Sequence, residues 1–135
     1  MNITELNHVA VLVAALSMFA LGGLWYSPVL LGKVWMTANG LTAEDLKRGS
    51  PLRIFGLSLV CSLAMAYNLA MFLSGPETTL AWGATAGFLA GFGWVALSVT
   101  MIAQFERRPA AYVLVNGGYV TVAFTLMGAI LGAWR

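Results

Sequence analysis

Charge is nearly missing from this sequence. Of 135 residues only 9% are charged, while 60% are hydrophobic. A water-soluble domain carries about 25% charged residues. So few charges cannot cover a water-facing surface, and lipid must be the solvent for most of the chain. The net charge of +2 is small. No basic run with interleaved aromatics is present, which excludes the usual nucleic-acid-binding surface.

Cysteine and histidine are almost as scarce. Cys61 is the single cysteine, so an intrachain disulfide and a thiolate metal cluster are both excluded. It lies inside an apolar run and is expected to be buried against a neighbouring helix. His8 is the single histidine, and the seven methionines are scattered. No metal site and no cofactor is expected from this set. No nucleophile stands at helical spacing from a base, and no glycine-rich loop resembles a phosphate cradle. The expectation is a protein that is not an enzyme. The apolar runs hold no Asp, Glu or Lys in their middles, which argues against a proton-coupled exporter. The opening Met1-Asn2-Ile3-Thr4-Glu5 has no Lys or Arg, and none occurs before Lys33. A secretory signal would open with positive charge, so the first apolar run is read as a retained span.

What the sequence has is long apolar runs. Four of them approach the roughly 20 residues that cross a bilayer core. They cover about 8–26, 52–73, 79–102 and 110–134 of a single domain, 1–135. They are long and do not alternate polar with apolar, so helices are favoured over barrel strands. The fold class predicted is an all-α membrane protein: a four-transmembrane-helix bundle with a short interfacial amphipathic helix between spans 1 and 2.

That short helix lies in the first link. Pro28 lacks an N–H and should end the first helix near Tyr26. Val29, Leu30, Val34, Trp35 and Met36 then make an apolar stripe beside Lys33. Asn39-Gly40 breaks it. Thr42 can cap a further turn with Glu44 and Asp45 in its first turn. Ser50-Pro51 reads as an N-cap with Pro at the first helical position. The other links, Ser74-Gly75-Pro76-Glu77 and Gln104 to Pro109, are short and make neighbouring helices antiparallel.

Basic residues set the expected orientation. Lys33, Lys47, Arg48 and Arg53 lie in or beside the first link, Arg107 and Arg108 in the third, and none in the second. The positive-inside rule places the first and third links in the cytoplasm and both termini outside. Arg135 opposes this weakly.

Small residues mark packing surfaces. Gly83, Gly87 and Gly91 are spaced by four, and Ser98 would continue their groove. Such a surface lets helix backbones approach closely, either within the bundle or at a homo-oligomer seam. Span 4 carries Gly117, Gly118, Gly128 and Gly132. It also carries Asn116, a polar amide needing a partner; Asn68 in span 2 is the candidate. Either the two amides fix packing, or Asn68, Trp94, Asn116 and Tyr119 line a cavity for a ligand or ion. Trp25, Tyr26, Trp35, Trp82, Tyr112 and Trp134 fall near span ends, where aromatics anchor helices at headgroup depth. Gly22-Gly23-Leu24-Trp25 and Gly91-Phe92-Gly93-Trp94 share a spacing. Two parallel hairpins or chance in a Gly- and Trp-rich chain account for it equally.

Several stretches together resemble a known family. They include Leu21-Gly22-Gly23-Leu24-Trp25-Tyr26-Ser27-Pro28, Leu31-Gly32-Lys33-Val34-Trp35-Met36 and Gly40-Leu41-Thr42-Ala43-Glu44-Asp45-Leu46. Phe105-Glu106-Arg107-Arg108-Pro109, Asn116-Gly117-Gly118-Tyr119 and Met127 to Trp134 follow in order. This resembles the bacterial domain-of-unknown-function family 1761 over nearly the whole chain. The resemblance implies a small multi-span protein of the bacterial inner (cytoplasmic) membrane and transfers no activity. Ala110-Ala111 departs from it, since bulkier residues are expected there.

The functional expectation is a protein that works by helix association, as a homo-oligomer or as an accessory subunit of a larger membrane complex. The alternative is binding or transport of an apolar or weakly polar small molecule, such as a lipid, quinone or pigment. The expected partner is the lipid bilayer, with no nucleic acid. The junction of the Trp25-to-Trp35 segment, including Pro28, with the bundle is where a site is expected.

Overall fold

Helix boundaries here follow from local chemistry. A computed structural model describes residues 3–135; Met1 and Asn2 of the opening segment lie outside the described residues. After a single 3-10 turn, α1 (His8–Trp25) starts at Asn7, whose side-chain oxygen accepts from the Ala10 N–H at 3.1 Å. It stops three residues before Pro28. The chain then turns so sharply that the Gly32 N–H reaches back to the Ser27 carbonyl at 2.9 Å. A Cβ on Gly32 would lie 2.6 Å from the Tyr26 carbonyl oxygen, so this turn requires glycine.

The first link holds two short helices. α2 (Gly32–Asn39) closes at Gly40, whose φ of +65° is the left-handed conformation that glycine adopts without strain. α3 (Ala43–Lys47) opens with a capping box. The Thr42 side chain accepts from the Asp45 N–H, and Asp45 accepts from the Thr42 N–H at 2.9 Å. α4 (Pro51–Phe72) follows Ser50 as N-cap with Pro51 at its first position.

The third rod is continuous but not uniform. α5 (Leu80–Ala90) passes into a π-helical stretch, Gly91–Ala96, and then into α6 (Leu97–Phe105). α7 (Ala110–Ala133) completes the chain. Among the described residues four rods are long and apolar enough to cross a membrane: His8–Trp25, Pro51–Phe72, Leu80–Phe105 and Ala110–Ala133. No strand occurs among the described residues. The all-helical, four-span architecture stands, with α2 as the short helix of the first link; Val29 and Leu30 of the expected stripe lie in the turn before it.

The rods pack in the spatial order α4, α1, α7, α5. α1 lies between α4 and α7, and α5 rests on α7. Small side chains bring the central pair of contacts together. Ala10, Ala14 and Ala15 of α1 are fully buried, with Ala66 of α4 and Ala123 of α7. Met127 and Val11 are the largest fully buried side chains.

Glycines decide the α5–α7 contact. A methyl group on Gly83 would overlap the Gly128 carbonyl oxygen, and one on Gly87 the Phe124 carbonyl oxygen. One on Gly91 would lie 2.6 Å from the Phe124 Cβ. From the other side, Gly128 and Gly132 meet the backbone of Gly83 and Thr79. These five glycines therefore face one another inside the chain, not an exposed seam. The π turn then resets the phase. Ala96, five residues after Gly91, is the next buried position, and its Cβ lies 3.5 Å from where a Cβ on Gly117 would be. A π turn carries the chain five residues per hydrogen bond instead of four. Ser98, expected in the groove, is consequently exposed.

Cys61 also departs from expectation: it is exposed. α4 buries one stripe, through Ser62, Ala66, Leu69 and Ala70. Cys61 is one residue, about 100°, away from that stripe on the helix wheel.

Candidate functional site

Two motifs 90 residues apart interlock where α1 ends and α7 begins. Trp25 is the last residue of α1, and its indole N–H donates to the Val115 carbonyl at 2.9 Å. Tyr26 follows. Its hydroxyl donates to Asn116 Oδ1 at 2.6 Å, and the Asn116 amide donates to the Tyr112 carbonyl at 3.0 Å. Tyr119, one turn further along α7, donates to the Met18 carbonyl at 2.9 Å.

The glycines in each motif make room for the other motif's aromatic. A Cβ on Gly22 would lie 3.0 Å from the Tyr119 hydroxyl. A Cβ on Gly118 would lie 3.1 Å from Trp25 Cζ2. The rings complete the contact. Tyr26 stands edge-on to Tyr119 at 5.4 Å and to Trp35 of α2 at 5.6 Å. Edge-to-face pairs at such distances are attractive. Trp35 thereby ties the interfacial helix to the bundle, with Pro28 exposed in the intervening turn.

Of the residues singled out in the sequence, Trp25, Tyr26, Trp35, Asn116 and Tyr119 come together. Asn68 and Trp94 do not join them. Asn68 is exposed near the end of α4, beside Tyr67, which hydrogen-bonds His8 at 2.8 Å. His8 and Trp25 are the two ends of α1, about 25 Å apart at 1.5 Å per residue. Asn68 and Asn116 thus sit at opposite ends of the bundle and cannot pair. Trp94 is 68% exposed on the outer side of the π stretch. The shared Gly-x-x-Trp spacing therefore does not carry a shared environment.

The pairing of Tyr26 with Asn116 escaped the sequence reading, although depth along the spans signals it. Tyr26 stands just before the first link and Asn116 just after the third, at the same end of the bundle. Chemically the cluster is a latch. The indole N–H, both phenol hydroxyls and the amide are all engaged within the chain, and no acid–base pair is present. Among the described residues no group of three or more His, Cys, Asp or Glu could hold a metal ion.

The family described as "Protein of unknown function (DUF1761)" matches residues 9–132. The chain belongs to the DUF1761 family. No curated protein and no solved structure matches it. Of the stretches that carry the resemblance in this DUF1761 chain, Leu21 to Pro28, Leu31 to Met36 and Asn116 to Tyr119 form the latch, Met127 to Trp134 holds the end of α7 that faces α5, and the other two lie at the first and third links. With four spanning helices, it is a multi-pass membrane protein.

Proposed function

We propose that this protein works by helix association in the membrane, as a homo-oligomer or as an accessory subunit, and performs no catalysis. The observation that carries the reading is the free face of α4. α4 packs on α1 through one stripe only. Outside that stripe Leu57, Cys61, Ala64 and Asn68 are all exposed. Their spacing of four, three and four is the heptad pattern of a helix–helix seam. Asn68 adds a polar amide with no hydrogen bond among the described residues. In lipid such an amide favours a partner helix, at about 1 kcal/mol per interhelical hydrogen bond. The amide is donor and acceptor at once, so an identical Asn68 across a two-fold axis can satisfy it.

Cys61 supplies the test. In a parallel α4–α4 pair the two Cys61 residues face each other. Mild oxidation of native membranes should give a crosslinked dimer that Cys61→Ser abolishes and Asn68→Leu weakens. A different copurifying subunit bound through α4 would support the accessory form. A strictly monomeric chain with no copurifying protein would overturn the reading.

The proposal includes the cytoplasmic membrane of a bacterium, with the first and third links inside and both termini outside. Six of the seven basic residues lie at the latch end of the bundle, which supports this orientation. Labelling of single cysteines in the two kinds of link, with intact cells, checks it.

A second reading rests on an open groove of about 440 Å³ between α4 and α7, lined by Leu57, Ser58, Cys61, Met65 and Tyr119. Its lining would suit an apolar molecule such as a quinone. Mass spectrometry of gently purified protein would detect one.

A further inference from the structure

A second cavity lies at the end of the bundle opposite the latch. There the start of α1, the end of α4 and the end of α7 converge around a space of about 340 Å³. Its floor is apolar and belongs to the core: Ala10, Val11, Ala70 and Leu131 are each at most 6% exposed. Its rim carries two opposite charges, Glu5 and Arg135. They make no ion pair with each other or with any other described residue.

Arg135 is held in place. One terminal nitrogen of its guanidinium donates to the Leu73 carbonyl and the other to the Gly75 carbonyl. These are carbonyls at and just past the C-terminal end of α4, where a cation is favoured. A guanidinium has five N–H donors, so donors remain for a ligand after this anchoring. Glu5 has no hydrogen-bond partner among the described residues and can accept from a cation. The cavity thus offers a fixed anion-binding group, a cation-binding group and an apolar floor, at the depth where spans meet the headgroup layer.

We propose that this cavity binds a zwitterion with a primary ammonium group and an anionic oxygen group, joined to an apolar tail. The ammonium would donate to Glu5, the anion would accept from Arg135, and the tail would lie over Val11 and Leu131. An aminophospholipid headgroup has this chemistry, and a soluble zwitterion such as phosphoethanolamine shares its polar part. The proposal is independent of association through α4.

The test uses the full chain reconstituted in nanodiscs of mixed phosphatidylethanolamine and phosphatidylglycerol. Native mass spectrometry after release reads the retained lipid. The wild type should retain phosphatidylethanolamine in preference by about tenfold, as a charge-assisted hydrogen bond confers. Glu5→Gln should erase the preference, and Arg135→Gln should reduce retention of both lipids. Circular dichroism confirms that the variants are folded, and Gly56→Ala, far from the cavity, should bind as wild type. Displacement of the lipid by millimolar phosphoethanolamine would assign the same site to a free zwitterion. Persistence of the lipid would assign it to the lipid. Equal retention of the two lipids by the wild type, or an unchanged preference in Glu5→Gln, would overturn the proposal.

Discussion

The Tyr26 hydroxyl donates a 2.6 Å hydrogen bond to the side-chain oxygen of Asn116, joining residues 90 apart in the chain. This bond links the end of the first span to the start of the fourth. Removing it should loosen the two halves of the protein. Tyr26→Phe is expected to lower stability by about 1 kcal/mol, the usual scale for such bonds between membrane helices. A double-mutant cycle with Asn116→Leu, read by unfolding in mixed micelles, should give a coupling energy of similar size. Additive effects would mean that the two side chains act separately.

The glycines separate into tight and open positions, and this gives a paired prediction. Gly87→Val pushes a side chain into the Phe124 backbone, which cannot give way as a flexible side chain can. A loss of about 3 kcal/mol, or failure to fold, is expected. Gly56 and Gly93 have nothing within 4 Å of an added Cβ. Gly56→Ala should be neutral or stabilise by up to about 1 kcal/mol, through helix propensity. Thermal unfolding in one detergent compares the variants.

Arg107 occupies a position that suits glycine better. Its φ is +56°, at the end of α6, where its N–H bonds Gln104 and the Arg108 N–H bonds Ala103. This is the left-handed cap that glycine fills without strain. Arg107→Gly should raise stability by about 1 kcal/mol, and Arg107→Ala should not. Retaining arginine there fits the orienting role proposed for the basic links. Arg107→Gly/Arg108→Gln should therefore increase the fraction of inverted molecules in a cysteine-labelling assay.

Asp45 sets a pH response in the first link. The Thr42 backbone N–H, and then the Thr42 hydroxyl, hold its carboxyl below the ordinary value of 3.8. A lowered folded value means that the cap is fully stabilising above the ordinary aspartate range. Its contribution is lost as pH falls through the lower, folded value. The hydrogen-exchange protection of residues 42–48, corrected for the intrinsic rate at each pH, should hold down to the ordinary aspartate range and fall below it. Asp45→Asn should show the acid behaviour at neutral pH.

Much of this architecture is legible locally. Pro28, Gly40, Thr42 and Ser50-Pro51 each act through a few neighbouring residues, so they place the ends of α1 and α2 and the starts of α3 and α4 without reference to the rest of the chain. The run lengths fix four spans for the same reason. The latch was half legible. Trp25, Tyr26 and Trp35 are legible as the junction with the bundle, but nothing local says that Asn116 meets Tyr26 and not Asn68, or that Tyr119 joins them.

What the sequence by itself determined is where helices begin and end and which solvent surrounds them, because caps, turns and apolar length are local properties. The tertiary structure alone decided which faces meet. In lipid both the buried and the exposed side of a helix are apolar, so no polar stripe marks the outside. Cys61 could therefore face outward against expectation. The glycines of α5 could turn inward to α7, and a π turn was needed to bring Ala96, not Ser98, onto Gly117. Those choices depend on how closely distant backbones can approach, and that is set only when all four helices are in place.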